Sequence, residues 1–177
     1  MDNKIRKFVI TGGPCTGKTS VILELEKKGF QIVSEVAREI IEREQALGGN
    51  NFPWIDLDRF NQELVKMQLE KEKAISAEIA FLDRGILDNL AYYTWNNNIP
   101  IPELIEAAKT SDYSAVFLLD RLNLYEKDSV RKEDIDKARK LHEEISKVYE
   151  EAGFKVIRIP PVSVKERVKM ILSQLKI

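Results

Sequence analysis

The chain has 177 residues, of which 44% are hydrophobic and 32% charged, so it is long and apolar enough to bury the core of one domain. Its formal net charge is −1 and its isoelectric point is about 6.0. This balance provides no overall attraction to nucleic acid or to an anionic membrane, and we expect neither as a partner. We therefore predict a single domain over residues 1–177.

The residue types that build disulfides and zinc sites are scarce. Cys15 is the only cysteine and His142 the only histidine, so an intramolecular disulfide is excluded and a zinc site would need carboxylates alone. No apolar run has the length of a signal peptide core or a membrane helix. These observations predict a cytoplasmic protein. A catalytic pair of Cys15 and His142 is compatible with the composition alone.

Short apolar runs alternate with longer helical patterns, which predicts a parallel sheet covered by helices on both faces. The predicted strands are residues 5–11, 30–34, 78–83, 115–120 and 155–159. The predicted helices are residues 19–28, 36–47, 56–75 and 132–152, followed by a last helix that begins after Ser163. Three of these helices end at glycines, which is typical of helix C-termini. Ser163 and Glu166 form a capping-box pattern.

The first predicted strand and helix enclose a segment that matches G-x-x-x-x-G-K-[ST] in full, in the context expected of a phosphate-binding loop. Its backbone N–H groups and the helix N-terminus would converge on phosphates, with Lys18 at the β- and γ-phosphates and the Thr19 hydroxyl on Mg²⁺. The segment therefore predicts binding of a nucleoside triphosphate, as ATP with Mg²⁺. We interpret Cys15 as a small filler of the loop. The residues assigned to the nucleotide here are Gly12, Gly13, Pro14, Cys15, Thr16, Gly17, Lys18, Thr19 and Ser20.

Glu35 follows the second predicted strand, at the edge where the carboxyl ends of parallel strands meet. This position suits a general base toward an acceptor hydroxyl, with Arg38 three residues later on the same helical face. The alternative is a negative charge that the dipole of the following helix favours. Both interpretations stay open from the sequence.

Residues 79–82 form an apolar run that ends in the carboxylate of Asp83. In a parallel sheet this end lies beside the glycine-rich segment, so Asp83 can reach a metal ion or its water shell. We assign Asp83 and Thr19 to the metal, with an acidic turn residue as the alternative for Asp83. Arg84 suits bidentate contact with a phosphate or a carboxylate, although a structural salt bridge would look identical in sequence.

A polar segment, residues 121–132, separates the fourth predicted strand from the longest helix. It carries Arg121 and Arg131, which is typical of a lid that brings positive charge over a transferring phosphoryl group. A surface loop without such a role is the alternative. We assign Arg121 to nucleotide binding. The predicted catalytic residues are Lys18, Glu35, Asp83, Arg84 and Arg131.

Four motifs follow one another along the chain: residues 10–20 (ITGGPCTGKTS), 34–41 (SEVAREII), 81–93 (FLDRGILDNLAYY) and 128–131 (DSVR). With these motifs the chain resembles the P-loop kinase-like AAA-type NTPases, which include the ribosylnicotinamide kinase domain of the bacterial NAD regulator and the insect TRPL translocation defect protein. The resemblance implies a three-layer α/β fold with a five-stranded parallel sheet in the order 2-3-1-4-5. It also implies that Pro161, after the fifth strand, lies near the adenine.

Two functions fit these residues. The first is a small-molecule kinase that moves the γ-phosphoryl group of ATP to a hydroxyl of a nucleoside-like acceptor, which the sequence does not identify. The second is a nucleotide-binding switch or slow NTPase that acts through a protein partner. The lack of an Asn-Lys-x-Asp motif argues against a GTPase, and the chain length argues against a large AAA+ ring motor. Because positive and negative charges are balanced, we predict no row of basic residues that would bind the backbone of a polynucleotide.

Overall fold

Five parallel strands form the central sheet of the structure, a computed structural model that describes residues 5–122 and 132–175. The strands are β1 (Arg6–Thr11), β2 (Gln31–Val33), β3 (Ile79–Asp83), β4 (Ala115–Leu119) and β5 (Val156–Ile159). They lie in the order β2-β3-β1-β4-β5. All five predicted strands and the strand order implied by the family resemblance are therefore confirmed.

Helices cover both faces of this sheet. They are α1 (Lys18–Lys27), α2 (Val36–Leu47), α3 (Leu57–Lys73), α4 (Ile86–Trp95), α5 (Pro102–Thr110), α6 (Lys132–Glu151) and α7 (Val164–Ser173). Phe8 and Ile10 of β1 pack in one core cluster with α1 and α7. Val9 faces the opposite way and packs in a second cluster with residues of α3, α4, α5 and α6. Alternate side chains of one strand thus fill two separate layers, as a sheet buried on both faces requires.

The strand register brings three chain segments to one edge of the sheet. Ile10 of β1 pairs with Asp83 of β3, and Thr11 pairs with Leu118 of β4. The residues after β1, β3 and β4 consequently emerge side by side at the carboxyl edge. The loop at 12–17, the turn at 84–85 and the start of the segment after β4 are therefore neighbours, as the parallel arrangement predicts.

Local signals in the sequence place several helix ends correctly. α2 ends where Gly48 adopts a left-handed backbone with a φ of 66°, which glycine tolerates without strain. Ser163 caps α7, because its Oγ accepts a hydrogen bond from Glu166 N at 3.3 Å while Ser163 N donates to Glu166 Oε2 at 3.1 Å. The capping box is confirmed.

Two helices, α4 and α5, lie in a stretch for which the sequence analysis gives no element. α4 contacts α5 and α6 as well as the sheet, and its residues Ile86, Leu87, Ala91 and Tyr93 are buried. A helix that is covered on most sides lacks the single apolar stripe by which helices are recognised in a sequence. Within the described residues, no helix combines the length and apolar character needed to cross a membrane.

Candidate functional site

The glycine-rich loop turns sharply from β1 into α1. Gly12 has a φ of 140°, and a Cβ at this position would lie 2.8 Å from the carbonyl oxygen of Leu119 in β4. Gly17 precedes the first residue of α1 with a φ of 79°. Both positions therefore need glycine because of their backbone angles, and Gly12 needs it also because it packs closely against β4. The N-terminus of α1 opens at this loop, which favours an anion there.

Three contacts from other elements hold the loop backbone from outside. Leu122 N donates to Cys15 O at 3.2 Å, and the buried Arg167 of α7 donates to Thr16 O. From α6, His142 Nδ1 accepts the backbone N–H of Gly13 at 3.2 Å. The segment after β4 and the two helices α6 and α7 thus each contribute one hydrogen bond that holds the loop.

Lys18 lies folded over this loop. Its Nζ donates to Gly12 O at 2.8 Å, to Gly13 O at 3.0 Å and to Thr16 Oγ1 at 3.4 Å. Burial, followed by the nearby charge of Arg84, lowers the pKa of Lys18 to about 8. A half-buried ammonium whose charge is disfavoured gains from an anion placed beside it. Lys18 therefore occupies a position where a phosphate would be stabilising.

Asp83 ends β3 beside this loop and is 9% exposed. Its Oδ1 is buried and has no hydrogen-bond partner among the described residues. Burial, together with the charge of Glu35, raises the pKa of Asp83 to about 6. An unpartnered buried carboxylate oxygen is costly unless a cation or donor joins it. The Oδ1 atom of Asp83 is thus available to a ligand that residues 5–122 and 132–175 do not supply.

These donors fit a magnesium ion that is shared with phosphates. Mg²⁺ prefers hard oxygen ligands and usually takes one or two from the protein, with water and substrate phosphates completing its shell. Across residues 5–122 and 132–175, no group of three His, Cys, Asp or Glu side chains could hold a metal ion. Asp83 offers one such oxygen, and the exposed Thr19 at the start of α1 offers a hydroxyl.

Arg84 joins the loop to Glu35. Its Nε donates to Glu35 Oε1 at 3.0 Å, and its Nη1 lies 3.4 Å from Gly12 O. Burial opposes the charge of Arg84, but Asp88 at 3.0 Å, Tyr92 and Glu35 together outweigh it and raise the pKa of the guanidinium. Glu35 also faces Arg38 at 3.9 Å. The predicted Glu35 and Arg84 are therefore brought together, as a half-buried ion pair at the mouth of the site.

Asp88, which the sequence analysis does not single out, is the buried centre of this network. It is fully buried, and its two oxygens accept from the Thr11 hydroxyl, Arg84 Nη1, Gly85 N at 3.0 Å and Tyr149 Oη at 2.7 Å. Its sequence signal is a carboxylate at the third position of an otherwise apolar helix start, where it caps the backbone of Gly85. Asp88 therefore orients Arg84 from the buried side of the site.

A cleft of about 660 Å³ opens beside the Glu35–Arg84 pair, and sequence reasoning does not find it. It is lined by aromatic rings and side-chain amides that come from α3, α4 and the loop segments 53–54 and 96–98. The guanidinium carbon of Arg84 lies 5.9 Å from the centre of the Tyr92 ring at its wall. The ring and amide side chains that line it are Trp54, Phe60, Tyr92, Asn61, Asn89, Asn96 and Asn98.

The remaining predicted residues are placed only in part. Arg121 is half-buried just beyond β4, and Pro161 is exposed just beyond β5. Arg131 and residues 123–130 of the predicted lid lie outside the described residues. The hypothetical pair of Cys15 and His142 is not supported, because Nδ1 of His142 faces Gly13 and Nε2 faces Asp120 Oδ1 at 3.7 Å.

Comparison with known proteins agrees with this architecture. A thymidylate kinase from Ehrlichia chaffeensis has a TM-score of 0.66 at 13% identity, with 96% of this chain and 98% of that chain covered. A deoxyadenosine kinase from M. mycoides with bound dATP has a TM-score of 0.65 at 19% identity, with 97% and 100% covered. NadR in complex with NR has a TM-score of 0.64 at 19% identity, with 88% of this chain covered but 45% of NadR.

At these identities the likeness establishes the fold. No curated protein matches the sequence significantly, so the likeness to the TRPL translocation defect protein stays a prediction. Residues 7–167 match the family described as an AAA domain. Because that match spans most of the chain, the protein belongs to the AAA domain family, with the three-layer fold of the P-loop kinases.

Proposed function

We propose that the protein is a kinase that transfers the γ-phosphoryl group of ATP to a hydroxyl group of a nucleoside-like small molecule. The observation that carries this proposal is the cleft beside Glu35 and Arg84, which lies next to the glycine-rich loop. A protein that only binds or hydrolyses a nucleotide needs no second cleft of acceptor size at its phosphate site. Proteins of the same fold include a deoxyadenosine kinase and a protein bound to NR, which supports a nucleoside-like acceptor.

The residues at the sheet edge would divide the work of phosphoryl transfer. The loop N–H groups and Lys18 would hold the phosphates, and Glu35 would accept the proton of the attacking hydroxyl. The acceptor oxygen forms the new bond to the γ-phosphorus, the bond to the β–γ bridging oxygen breaks, and ADP leaves. Arg84 would hold the Glu35 carboxylate in position through its Nε, while Asp88 fixes the orientation of the guanidinium. For Arg121 and Arg131 we retain the predicted role of closing over the phosphates.

Mg²⁺, when bound, would neutralise charge on the phosphates. Asp83 and Thr19 are the residues that would hold it or its waters. The unpartnered Oδ1 of Asp83 supports this assignment. We further propose that Pro161 borders the adenine, as the family resemblance implies, and that the protein works in the cytoplasm.

The experiment is a transfer assay with γ-labelled ATP against nucleosides, nicotinamide riboside, nucleotides and sugars, beside a control without acceptor. A labelled product in one chemical class supports the kinase. If ATP consumption with each acceptor equals that of the control without acceptor, the kinase proposal is wrong.

A nucleotide-dependent switch is the second candidate, and the rim of the cleft favours it. Trp54 is 67% exposed, and Ile55 and Leu47 are exposed nearby in the chain. Exposed apolar side chains of this size are typical of surfaces that meet another protein. In this case Glu35 and Arg84 would serve as a structural ion pair, and the label would pass to water alone.

A further inference from the structure

The acceptor cleft is electrically balanced along its described walls. Its charged lining residues are Glu35 and Arg84, which bind each other at 3.0 Å. Arg84 is also paired with the buried Asp88 at 3.0 Å. The one guanidinium of these walls is therefore already matched by two carboxylates.

A phosphate group on the acceptor would add negative charge that these walls do not neutralise. A dianion bound here would compete with Glu35 and Asp88 for the one guanidinium, and drawing Arg84 away from the buried Asp88 would cost far more than breaking an exposed ion pair does. Glu35 would in addition repel the phosphate across the same cleft. The walls suit a neutral molecule much better than a monophosphate.

The remaining lining groups point to the chemistry of such a molecule. Trp54 lies at the exposed rim, stacked on Phe52 with ring centres 4.9 Å apart, and Tyr92 stands at the wall. Aromatic faces of this kind stack on planar heterocycles. Side-chain amides, which carry both donor and acceptor atoms, occupy the positions between them.

Among these amides, that of Asn89 is the best placed to form hydrogen bonds with the acceptor. It lies on α4 directly after Asp88, is half-buried, and makes no side-chain hydrogen bond within the described residues. Asn61 Nδ2, by contrast, donates to Leu57 O at 2.9 Å, Asn96 Nδ2 donates to Tyr92 O at 2.8 Å, and Asn98 is exposed to solvent. The Asn89 amide keeps its full hydrogen-bonding capacity for a ligand.

We infer that the cleft selects an unphosphorylated, ring-bearing acceptor of the nucleoside class over its 5′-monophosphate, and that Asn89 is a specificity-determining residue that hydrogen-bonds it. This inference rests on the proposed kinase function for its biological meaning. Its physical basis is the charge balance of the cleft and the unbonded amide of Asn89. Measurements of ligand binding in the absence of phosphoryl transfer test both.

The chain provides a reporter for that test. It has two tryptophans, Trp54 at the cleft rim and Trp95 outside the cleft lining, so Trp95→Phe leaves Trp54 as the single tryptophan. Nucleosides and their 5′-monophosphates are titrated into this variant without ATP, with correction for ligand absorbance. We expect saturable changes with at least one nucleoside and weaker binding of its monophosphate, by on the order of tenfold or more.

Asn89→Leu, made in the same background, should weaken nucleoside binding by about tenfold. Thr94→Ala is the matched control, because Thr94 lies on the same helix but bonds Glu144 at 2.9 Å outside the cleft, and it should bind like the parent. Monophosphates that bind as tightly as nucleosides, or an Asn89→Leu variant indistinguishable from Thr94→Ala, would overturn the inference.

The transfer assay on the same proteins separates this inference from the proposed function. Nucleoside binding at Trp54 without any transfer of label would contradict the kinase and leave the acceptor class standing. Efficient labelling of a monophosphate would support the kinase and overturn the acceptor class.

Discussion

Asp83 is buried at the end of β3, and burial raises its pKa to about 6. The folded protein holds this proton more tightly than the unfolded chain, in which the carboxyl group has its ordinary value of 3.8. The resulting contribution to stability is complete below about pH 3.8 and is lost as the pH rises through about 6. At higher pH the charged carboxylate costs the fold about 3 kcal/mol relative to the protonated form.

Asp83→Asn should therefore stabilise the nucleotide-free protein at pH 8, by on the order of 1–3 kcal/mol, and have little effect at pH 4. The reason is that asparagine cannot ionise in the same buried position. Urea unfolding at pH 4, 6 and 8 measures the difference. Asp136→Asn, at an exposed position on α6, serves as the control that should show no such trend. A gain of Asp83→Asn that does not depend on pH would contradict the account.

The same substitution should lower turnover, because the proposed metal-binding oxygen loses its charge. ATP binding should persist in weakened form, since Lys18 and the loop remain. Rates measured across a Mg²⁺ titration test this role. A variant that follows the wild-type curve would exclude Asp83 from it.

At the scale of elements, the N-terminus of α4 is built into the buried network below Arg84. Tyr113 Oη accepts the N–H of Ile86 at 3.0 Å, and Tyr149 Oη donates to Asp88 at 2.7 Å. Gly85 lies between them, and a Cβ there would stand 2.6 Å from Tyr149 Oη and 3.0 Å from the Tyr113 ring. The turn that presents Asp83 and Arg84 is therefore packed against two buried tyrosines.

Gly85→Ala should destabilise the protein by about 1–3 kcal/mol through this overpacking, since its backbone angles suit any residue. In a Tyr149→Phe background the hydroxyl oxygen is gone, and the cost of Gly85→Ala should shrink by on the order of 0.5 kcal/mol or more. Chemical denaturation of the four proteins in this cycle gives the coupling. If the free-energy changes of the two substitutions are strictly additive, the methyl group added at Gly85 does not contact the Tyr149 hydroxyl.

α6 is coupled to the glycine-rich loop through His142. Burial lowers the pKa of His142, the charges of Glu143 and Asp120 oppose this shift, and those of Arg158 and Arg121 assist it. The neutral ring that accepts the Gly13 N–H is therefore the favoured form in the fold. Its contribution to stability is present above the ordinary pKa of about 6.5 and is lost as the pH falls through the lowered value.

His142→Leu should loosen the loop and weaken ATP binding, whereas His142→Asn, with an amide oxygen near the position of Nδ1, should retain more of it. Because the chain has one histidine, its proton resonance gives the pKa without ambiguity. We expect a value below 6.5, with ATP affinity falling in parallel at lower pH. A higher pKa, or equal ATP binding by both variants, would show that the hydrogen bond to Gly13 does not support the loop.

The sequence predicts those parts of the fold whose signals are local. The glycine-rich motif, the apolar runs, Gly48 and the Ser163 cap each act within a few residues, and the structure confirms the elements they mark. The cleft is different, because its walls come from three separate stretches of chain, residues 35–41, 53–61 and 84–98. The role of Asp88 likewise depends on Thr11 and Tyr149, which lie 77 and 61 residues away. Such contacts follow only from the tertiary packing.

For the molecule as a whole, charge is nearly balanced in total, and one cluster of opposite charges lies at the carboxyl edge of the sheet. Lys18 and Arg84 meet Glu35, Asp83 and Asp88 there, and each influences the pKa of Lys18 or Asp83. A ligand that adds phosphates and a divalent cation would satisfy Lys18 and Asp83 together. Binding at this edge should accordingly stabilise the entire fold by mass action.

Mg-ATP at a hundredfold excess over its dissociation constant should stabilise the wild-type protein by roughly 2.7 kcal/mol. Lys18→Ala should lose most of this gain, because the half-buried positive charge at the loop is removed. Thermal unfolding with and without Mg-ATP measures both proteins, and Lys27→Ala, at the far end of α1, is the matched control. Equal stabilisation of all three would mean that ATP does not bind at the loop.

The central claim is that the sheet edge transfers a phosphoryl group to an acceptor in the cleft, with Glu35 receiving the acceptor proton. Its most direct test is single-turnover transfer of label from γ-labelled ATP to an acceptor, compared among wild type, Glu35→Gln and Arg38→Gln. We predict a loss of about 10²- to 10⁴-fold for Glu35→Gln with ATP affinity unchanged. Arg38→Gln, which alters the more distant and exposed partner of Glu35, should stay near wild type. Absence of any labelled acceptor, with the same slow hydrolysis of ATP by all three proteins, would contradict the account.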